Sequence, residues 1–464
     1  HRDLHSFPTR RSADLNRNGT SMNKSGFAQT HPRWTGVILA AAVLVAGTLG
    51  TEIVLRLFFP YSIYSAGFVH TGNGKHYGWG FDPGQAILVI DPDTGARHVS
   101  RANQKGWRDR ERTFENPEAR YRILVMGDSQ TFGYTVPADA QFTRRLEDHL
   151  IADGRHAEVI NISYPGWSID QQLVAFRREG IRYRSDMVIL HFSINDLWEL
   201  HWYEDSGKFA RRKPFYFLRG PNGDVSQRDN PKFQREWNAW TRRRIIATSE
   251  ILKHAWVIYD QAKARRATVL NLDEKHLQLV FHLFGAKASE PVKSDFRALA
   301  KLAKFEAADL DALLARHGLA DQRDAILTIA RNWYRFGLWS MDYYRTGTDK
   351  NTPAHWWPDY LAMLAQFAAE VRAAGAGFAI SVDHEKGRLA WNQAQGLIAR
   401  SEAAAKGFLA QSEPLLNFAK ENGIAVIANK IPLQRSANNV HINRAGNAAL
   451  AGDYYRYLKD QIPR

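Results

Sequence analysis

Apolar positions fall into three patterns along this chain. There is one long uncharged run near the N-terminus, several short strand-like runs, and segments repeating every three to four residues. The long run is Trp34 to Thr51, 18 residues without a charge. As a helix rising about 1.5 Å per residue it would extend roughly 27 Å, close to the apolar thickness of a bilayer. Glu52 and Arg56 interrupt it, four positions apart and so on one helix face, where they can pair near the interface. Leu57, Phe58 and Phe59 then resume the pattern and Pro60 ends it. The run predicts a transmembrane anchor over 34–59. A signal peptide cut near Ala46-Gly47-Thr48 is the rival, and the second apolar stretch, IVLRLFF, argues against it. Lys24 and Arg33 precede the span, so residues 22–33 are expected in the cytoplasm and the rest of the chain outside the inner membrane, as a single-pass protein. Arg56 and Lys75 keep that bias slight.

The short runs 121–126, 159–162, 187–192, 378–382 and 424–428 read as buried strands. Between them lie helical patterns: 139–152, with Phe142, Leu146, His149 and Leu150 on one face, then 169–180 and 359–374, with a last helix after His441. Strands alternating with helices predict an α/β fold, a doubly wound, mostly parallel sheet flanked by helices. Its two parts are expected at 119–218 and 351–464. Residues 60–118, rich in Gly, Pro, Asp and Arg with one apolar run at 87–90, read as lead-in loops and a small hairpin. Residues 219–350 read as a mainly helical insertion, with candidates at 233–265, 294–316 and 320–336.

Composition changes this picture little. Of 464 residues, 44% are hydrophobic and 24% charged, which excludes a collagen-like, wholly disordered or multi-span membrane chain. There is no cysteine, hence no disulfide framework, thiolate metal site or Cys nucleophile. The net charge of +14 first suggests an acidic partner. Residues 1–21, however, lack periodicity, precede the first methionine, Met22, and read as the translation of a sequencing adapter; a disordered basic tail is the alternative. Their four Arg and two Asp leave +12 for the rest. The remaining basic clusters, Arg211-Arg212-Lys213, Arg242-Arg243-Arg244 and Arg265-Arg266, lie on separate segments without a nucleic-acid-binding signature. They are expected as solvated faces, and an anionic lipid or polysaccharide surface suits them better than DNA.

Candidate chemistry begins where the first core strand ends, at Gly127-Asp128-Ser129. A serine between a parallel strand and a helix stands at the carboxyl edge of the sheet, where open α/β folds bind ligands. Alone, the tripeptide is equally an Asp/Ser turn capping the next helix. Further turns follow the later strands: Ser163 to Trp167 with Gly166, then Ser193-Ile194-Asn195-Asp196, and finally Val440-His441 leading into the last helix. Each has a plainer reading, since Asn195 can cap a turn, Gly166 can supply a permissive backbone and His441 can be a surface histidine.

The four segments 127–137 (GDSQTFGYTVP), 160–173 (INISYPGWSIDQQL), 190–199 (LHFSINDLWE) and 440–450 (VHINRAGNAAL), in that order, resemble the successive blocks of the SGNH (GDSL-type) hydrolase superfamily. The likeness is strongest to its membrane-anchored bacterial members, whose lead-in the stretch 103–109 and whose anchor end 52–57 also resemble. It covers roughly 60–218 and 355–460. It implies Ser129 as nucleophile and His441 as its general base. The oxyanion donors would be the backbone N–H groups of Ser129 and Gly166 and the side-chain amide of Asn195. One position departs from the pattern. The family usually places Asp three residues before its histidine, where this chain has Asn438, and no acid lies between Glu421 and Asp453. Asn can accept a hydrogen bond from imidazole but adds no charge, and in serine proteases Asp→Asn costs about 10⁴ in kcat. A weaker Ser–His–Asn arrangement, an acid from elsewhere or a lost activity all follow. Asp383 and Glu385, just after a strand, are the candidates for a replacement acid. Asp128 is expected to shape its turn.

No cofactor or metal is expected: His441 and His384 lack ligand spacing. Trp237, Trp240, Trp256, Trp333 and Trp339 in the insertion, with His355-Trp356-Trp357 after it, suit either a helical core or contact with sugar rings. The resemblance implies an ester hydrolase acting on an acylated glycan, lipid or small ester. An O-acyltransferase using the same site and a non-catalytic envelope scaffold are the alternatives. The oligomeric state is open.

Overall fold

The computed structural model describes residues 31–59, 74–201, 213–231, 233, 249–255, 258, 289–300, 307–323, 356–383, 385–394, 405–406, 409–429, 432–436 and 440–463. The chain divides into a unit ending at Val54 and a larger one from Leu55. The first contains most of one helix, Pro32–Phe58, which runs through Glu52 and Arg56 without a break. Its 27 residues extend about 40 Å at 1.5 Å each. Among the described residues it is the one helix long and apolar enough to cross a membrane, a property that signal sequences share. Leu39, Val43, Leu44 and Leu49 on it are exposed.

Among the described residues the larger unit has nine strands. A hairpin pairs β1 (Ala86–Ile90) with β2 (Arg97–Arg101), as the apolar run at 87–90 predicts. The central sheet is built from β3 (Tyr121–Gly127), β4 (Ala157–Ser163) and β5 (Met187–Phe192). A second hairpin, β6 (Phe215–Arg219) with β7 (Val225–Asp229), follows, crossing the boundary expected at 218/219. The sheet is completed by β8 (Gly377–Val382) and β9 (Ala425–Ala428). The order β4-β3-β5-β8-β9, with every pair parallel, is a doubly wound sheet whose direction reverses between β3 and β5.

Alternation along each strand explains the two layers of helices. Leu124, Met126, Ile160, Ile162, Val188, Leu190, Phe378 and Ile380 share one core with helices Ile169–Arg178, Trp357–Ala373 and Glu413–Glu421. Ile123, Val125, Val159, Met187, Ile189, Ala379 and Ile427 share the other with helices Phe142–Ala152 and Arg444–Leu458. Because both faces are covered, the strands read in sequence as continuous apolar runs.

Three expectations change. His149 is exposed, and its helix buries Glu147 instead, because Arg110 and Arg112 neutralise that carboxylate. The lead-in belongs to the core: Trp79, Phe81 and Trp107 are buried, and Trp79 Nε1 donates to Pro165 O at 2.9 Å. Lys213 is no solvated residue. It is fully buried, and its ammonium pairs with Asp170 at 2.7 Å. Arg211, Arg212, Arg242 to Arg244, Arg265 and Arg266 lie outside the described residues, as do Trp237, Trp240, Trp256, Trp333, Trp339 and His355. Trp357 is buried against Phe192 and Tyr360, and so belongs to the core. In the insertion, helices Glu290–Ala300 and Ala307–Arg316 fall within or beside the expected 294–316.

Candidate active site

The three strand ends that carry the candidate residues are neighbours. Gly127 pairs with Ser163 and Met126 with Leu190, so the turns containing Ser129, Gly166 and Asn195 leave one edge of the sheet side by side. Ser129 follows β3 at the point where the strand order reverses. The turn at Gly127 is tight: a Cβ there would clash with the side chain of Thr131 and lie 3.2 Å from His191 O. Asp128 caps the short helix Ser129–Phe132, its Oδ1 accepting from Gln130 N at 2.9 Å, so it shapes the turn as expected. Gly166 has φ 71°, the left-handed region that glycine enters without strain. Among the described residues the N–H groups of Ser129 and Gly166 have no hydrogen-bond acceptor.

The segment of His441 is docked onto the Ser129 turn by partners that motif reading passed over. Gln130 Oε1 accepts from Ile442 N at 3.1 Å, and Thr135 Oγ1 donates to Ile442 O at 2.8 Å. Asn447 Nδ2 donates to Ile442 O at 3.2 Å, while its Oδ1 accepts from Phe142 N at 3.1 Å. A Cβ on Gly446 would collide with Gln434 O and crowd Ile442, so only glycine lets this helix lie against those two residues. The His441 ring packs on Tyr134, centroids 4.5 Å apart. Arg108, buried in the lead-in, ties down the other end of the Ser129 turn by donating to the carbonyls of Phe132 (2.9 Å), Gly133 (2.7 Å) and Val136 (2.7 Å).

Not every expected partner meets. The Ser129 hydroxyl donates to Asp128 Oδ2 at 3.4 Å rather than to His441. Burial first, and the charge of Arg435 second, push His441 down to about 3. Asp383, a candidate replacement acid, forms a buried ion pair with Arg435 and makes no bond to His441. Glu385 opens the helix Glu385–Ala394. Asn438 lies outside the described residues.

Beneath the Ser129 turn sits a buried acidic cluster. Asn195 Nδ2 donates both to Asp128 Oδ2 (3.0 Å) and to Glu199 Oε2 (2.9 Å). Ser193 Oγ donates to Asp128 Oδ1 at 2.9 Å. Asp196 accepts from Ser193 N at 3.3 Å through one oxygen, while its other oxygen and the Tyr360 hydroxyl have no hydrogen-bond partner among the described residues. Asp128, Asp170, Asp196 and Glu199 are all buried, with Lys213 the ammonium bound among them. Among the described residues that is one cation to four carboxylates, too few to offset them out of water. Burial therefore raises Asp128 and lifts Asp196 and Glu199 well above the usual carboxylate range, reinforced in the last two by the neighbouring carboxyls.

A carboxyl raised by folding holds its proton more tightly in the native state. Its stabilising contribution is complete below the ordinary value of 3.8 and is lost as pH rises toward the raised value. Asp196→Asn, which keeps an acceptor for Ser193 N, should therefore melt higher than wild type at pH 8. The gain should vanish near pH 4. Thermal melts at the two pH values check this, and a pH-independent difference contradicts it. Among the described residues no group of three or more His, Asp or Glu is arranged to hold a metal ion.

The sequence matches no protein-family model and no curated protein. Among solved structures, 21 chains are similar. A GDSL-like lipase from Bacteroides thetaiotaomicron is 9% identical, the match covering 75% of this chain and 91% of that one with a TM-score of 0.30. An acetyl xylan esterase is 10% identical over 73% of this chain and 99% of its own, at a TM-score of 0.32. A lipase/acylhydrolase from Enterococcus faecalis is 12% identical over 74% and 97%, at a TM-score of 0.29.

Proposed function

We propose that this chain is a membrane-anchored SGNH-type serine hydrolase that cleaves an O-acyl ester of a cell-envelope glycan or lipid. The observation carrying this reading is the convergence of Ser129, Gly166 and Asn195 from three adjacent parallel strands, with the His441 segment hydrogen-bonded to the Ser129 turn. In the proposed reaction Ser129 Oγ attacks the ester carbonyl carbon while His441 takes the hydroxyl proton. The negative oxygen that forms is held by the N–H groups of Ser129 and Gly166 and by the Asn195 amide. Collapse of the tetrahedral intermediate expels the alcohol, which leaves with the proton from His441, and an acyl-serine remains. Water, deprotonated by His441, then releases the acid. A sugar hydroxyl in place of water would make the same site an O-acyltransferase. The helix Pro32–Phe58 would hold the enzyme in the inner membrane with its catalytic unit on the outer side.

Asn438 favours a second reading, a scaffold that retains the fold without turnover. A fluorophosphonate probe separates the two, because it reacts only with an activated serine. Labelling that wild type shows and Ser129→Ala lacks is the expected result. An unlabelled wild type, beside a control hydrolase that labels, would leave the scaffold.

A further inference from the structure

The Asn195 amide raises a question that motif reading does not: what makes its nitrogen, and not its oxygen, border Ser129? The two ends of an Asn amide are nearly equal in size, so orientation is decided by the groups around them. We infer that Glu199 is a positioning residue that grips one amide hydrogen of Asn195, so that the other is presented beside the nucleophile. This rests on the proposed role of Asn195 as an oxyanion donor.

Both neighbours of Nδ2 are acceptors, Glu199 Oε2 at 2.9 Å and Asp128 Oδ2 at 3.0 Å. The same Asp128 oxygen accepts from Ser129 Oγ at 3.4 Å, which fixes Nδ2 on the Ser129 side. Flipping the amide would set Oδ1 against two carboxyl groups and forfeit both bonds, a cost a buried site does not recover from water. During attack, the hydrogen shared with Asp128 is the one that can pass to the developing oxyanion. Glu199 keeps the other and holds the amide in place.

Glu199 is itself firmly fixed. Its N–H donates to Asn195 O at 3.0 Å, and its carbonyl accepts from Lys213 Nζ at 2.6 Å. The same ammonium is held by both Asp170 oxygens, at 2.7 and 2.9 Å. Asp170 lies in the first turn of helix Ile169–Arg178, just beyond the Gly166 turn. Lys213 therefore bolts the element after Gly166 to the element after Asn195, and Glu199 extends that bolt to the amide.

The test measures kcat and KM for aryl-ester cleavage by the full-length protein. Glu199→Leu, which cannot accept a hydrogen bond, should lower kcat roughly 10- to 100-fold, the range expected for a misplaced catalytic group, and leave KM nearly unchanged. Glu199→Gln keeps the acceptor oxygen and should retain most of the rate. Glu199→Asp keeps the carboxyl but draws it back by one methylene, and should lose rate where Gln does not. Should the Leu variant fail to fold, that contrast decides the matter. In an Asn195→Ala background, Glu199→Leu should cost nothing more, since both changes remove one function. A wild-type rate for Glu199→Leu, an equal loss for Gln and Asp, or losses that multiply in the double variant would overturn the inference while the ester reading stands. A wild type that cleaves no ester would remove that reading, and this inference with it.

Discussion

Replacing His441 by Ala should lower kcat for ester cleavage on the order of 10⁴- to 10⁶-fold, the range seen when a serine hydrolase loses its base. The pH dependence should be as telling as the magnitude. Catalysis requires neutral imidazole, and the protein holds His441 down to about 3, mainly by burial and secondarily through Arg435. At any pH above 5 nearly all the imidazole is then neutral. The acid limb of kcat/KM should fall near pH 3, well below the ordinary 6.5, leaving a flat profile across the neutral range. So weak a base also stabilises imidazolium poorly in the transition state. An Asp at position 438 would supply the missing negative charge, so Asn438→Asp should raise kcat and move the acid limb upward together. A limb near pH 6.5 in wild type would contradict the electrostatic account, and an active His441→Ala would remove His441 as the base.

The largest stability effect should come from Arg112. Its guanidinium is buried and contacts Asp109 Oδ2 at 3.1 Å, Glu147 Oε2 at 2.7 Å and Glu158 Oε1 at 3.1 Å, and donates to Val159 O at 2.7 Å. Burial alone would weaken its charge, but Asp109 and Glu147 more than reverse this and raise its pKa. Arg122 reaches the second oxygen of Glu158 at 2.9 Å and Arg110 the second oxygen of Glu147, so the cluster joins the lead-in to β3, β4 and the helix Phe142–Ala152. Arg112→Met leaves three buried or nearly buried carboxylates short of one cation. Removing one partner of a buried pair typically costs about 3–5 kcal/mol, and urea denaturation followed by tryptophan fluorescence should show a loss of that size. Arg112→Lys, which keeps the charge but not the planar fork, should fall between the two. A loss under about 1 kcal/mol for the Met variant would mean that water reaches the cluster.

His441 and Arg112 differ in how far the sequence reveals them. His441 stands in a recognisable block, but its depressed basicity depends on Arg435 and on burial. Arg112 lies in a lead-in whose Gly, Pro and Arg content reads as loop, although that segment contributes Trp79, Trp107 and Arg108 to the interior. Lys213 looked like one of three solvated basic residues, because local charge density says nothing about a carboxylate 43 positions earlier in the chain. Glu199 stands four residues after Asn195, a spacing that permits contact on a helix. Spacing alone does not tell which way the amide faces.

Periodicity reports how a segment meets its immediate surroundings. For this reason the chain's own pattern was enough to determine the five core strands, their parallel sheet, the two helix layers and the apolar helix near the N-terminus. It also placed Ser129, Gly166 and Asn195 at strand ends, since a strand that stops abruptly in a Gly- or Asn-bearing turn must present that turn at the sheet edge. Which charges neutralise one another was decided only by the tertiary structure. The pairing of Asp383 with Arg435, of Arg112 with Glu147 and Glu158 and of Lys213 with Asp170 joins residues that topology alone brings together. The physical reason is that burial energy accrues to each residue separately and leaves a local trace, whereas a buried charge is tolerable only beside a particular partner, and the sheet order chooses that partner.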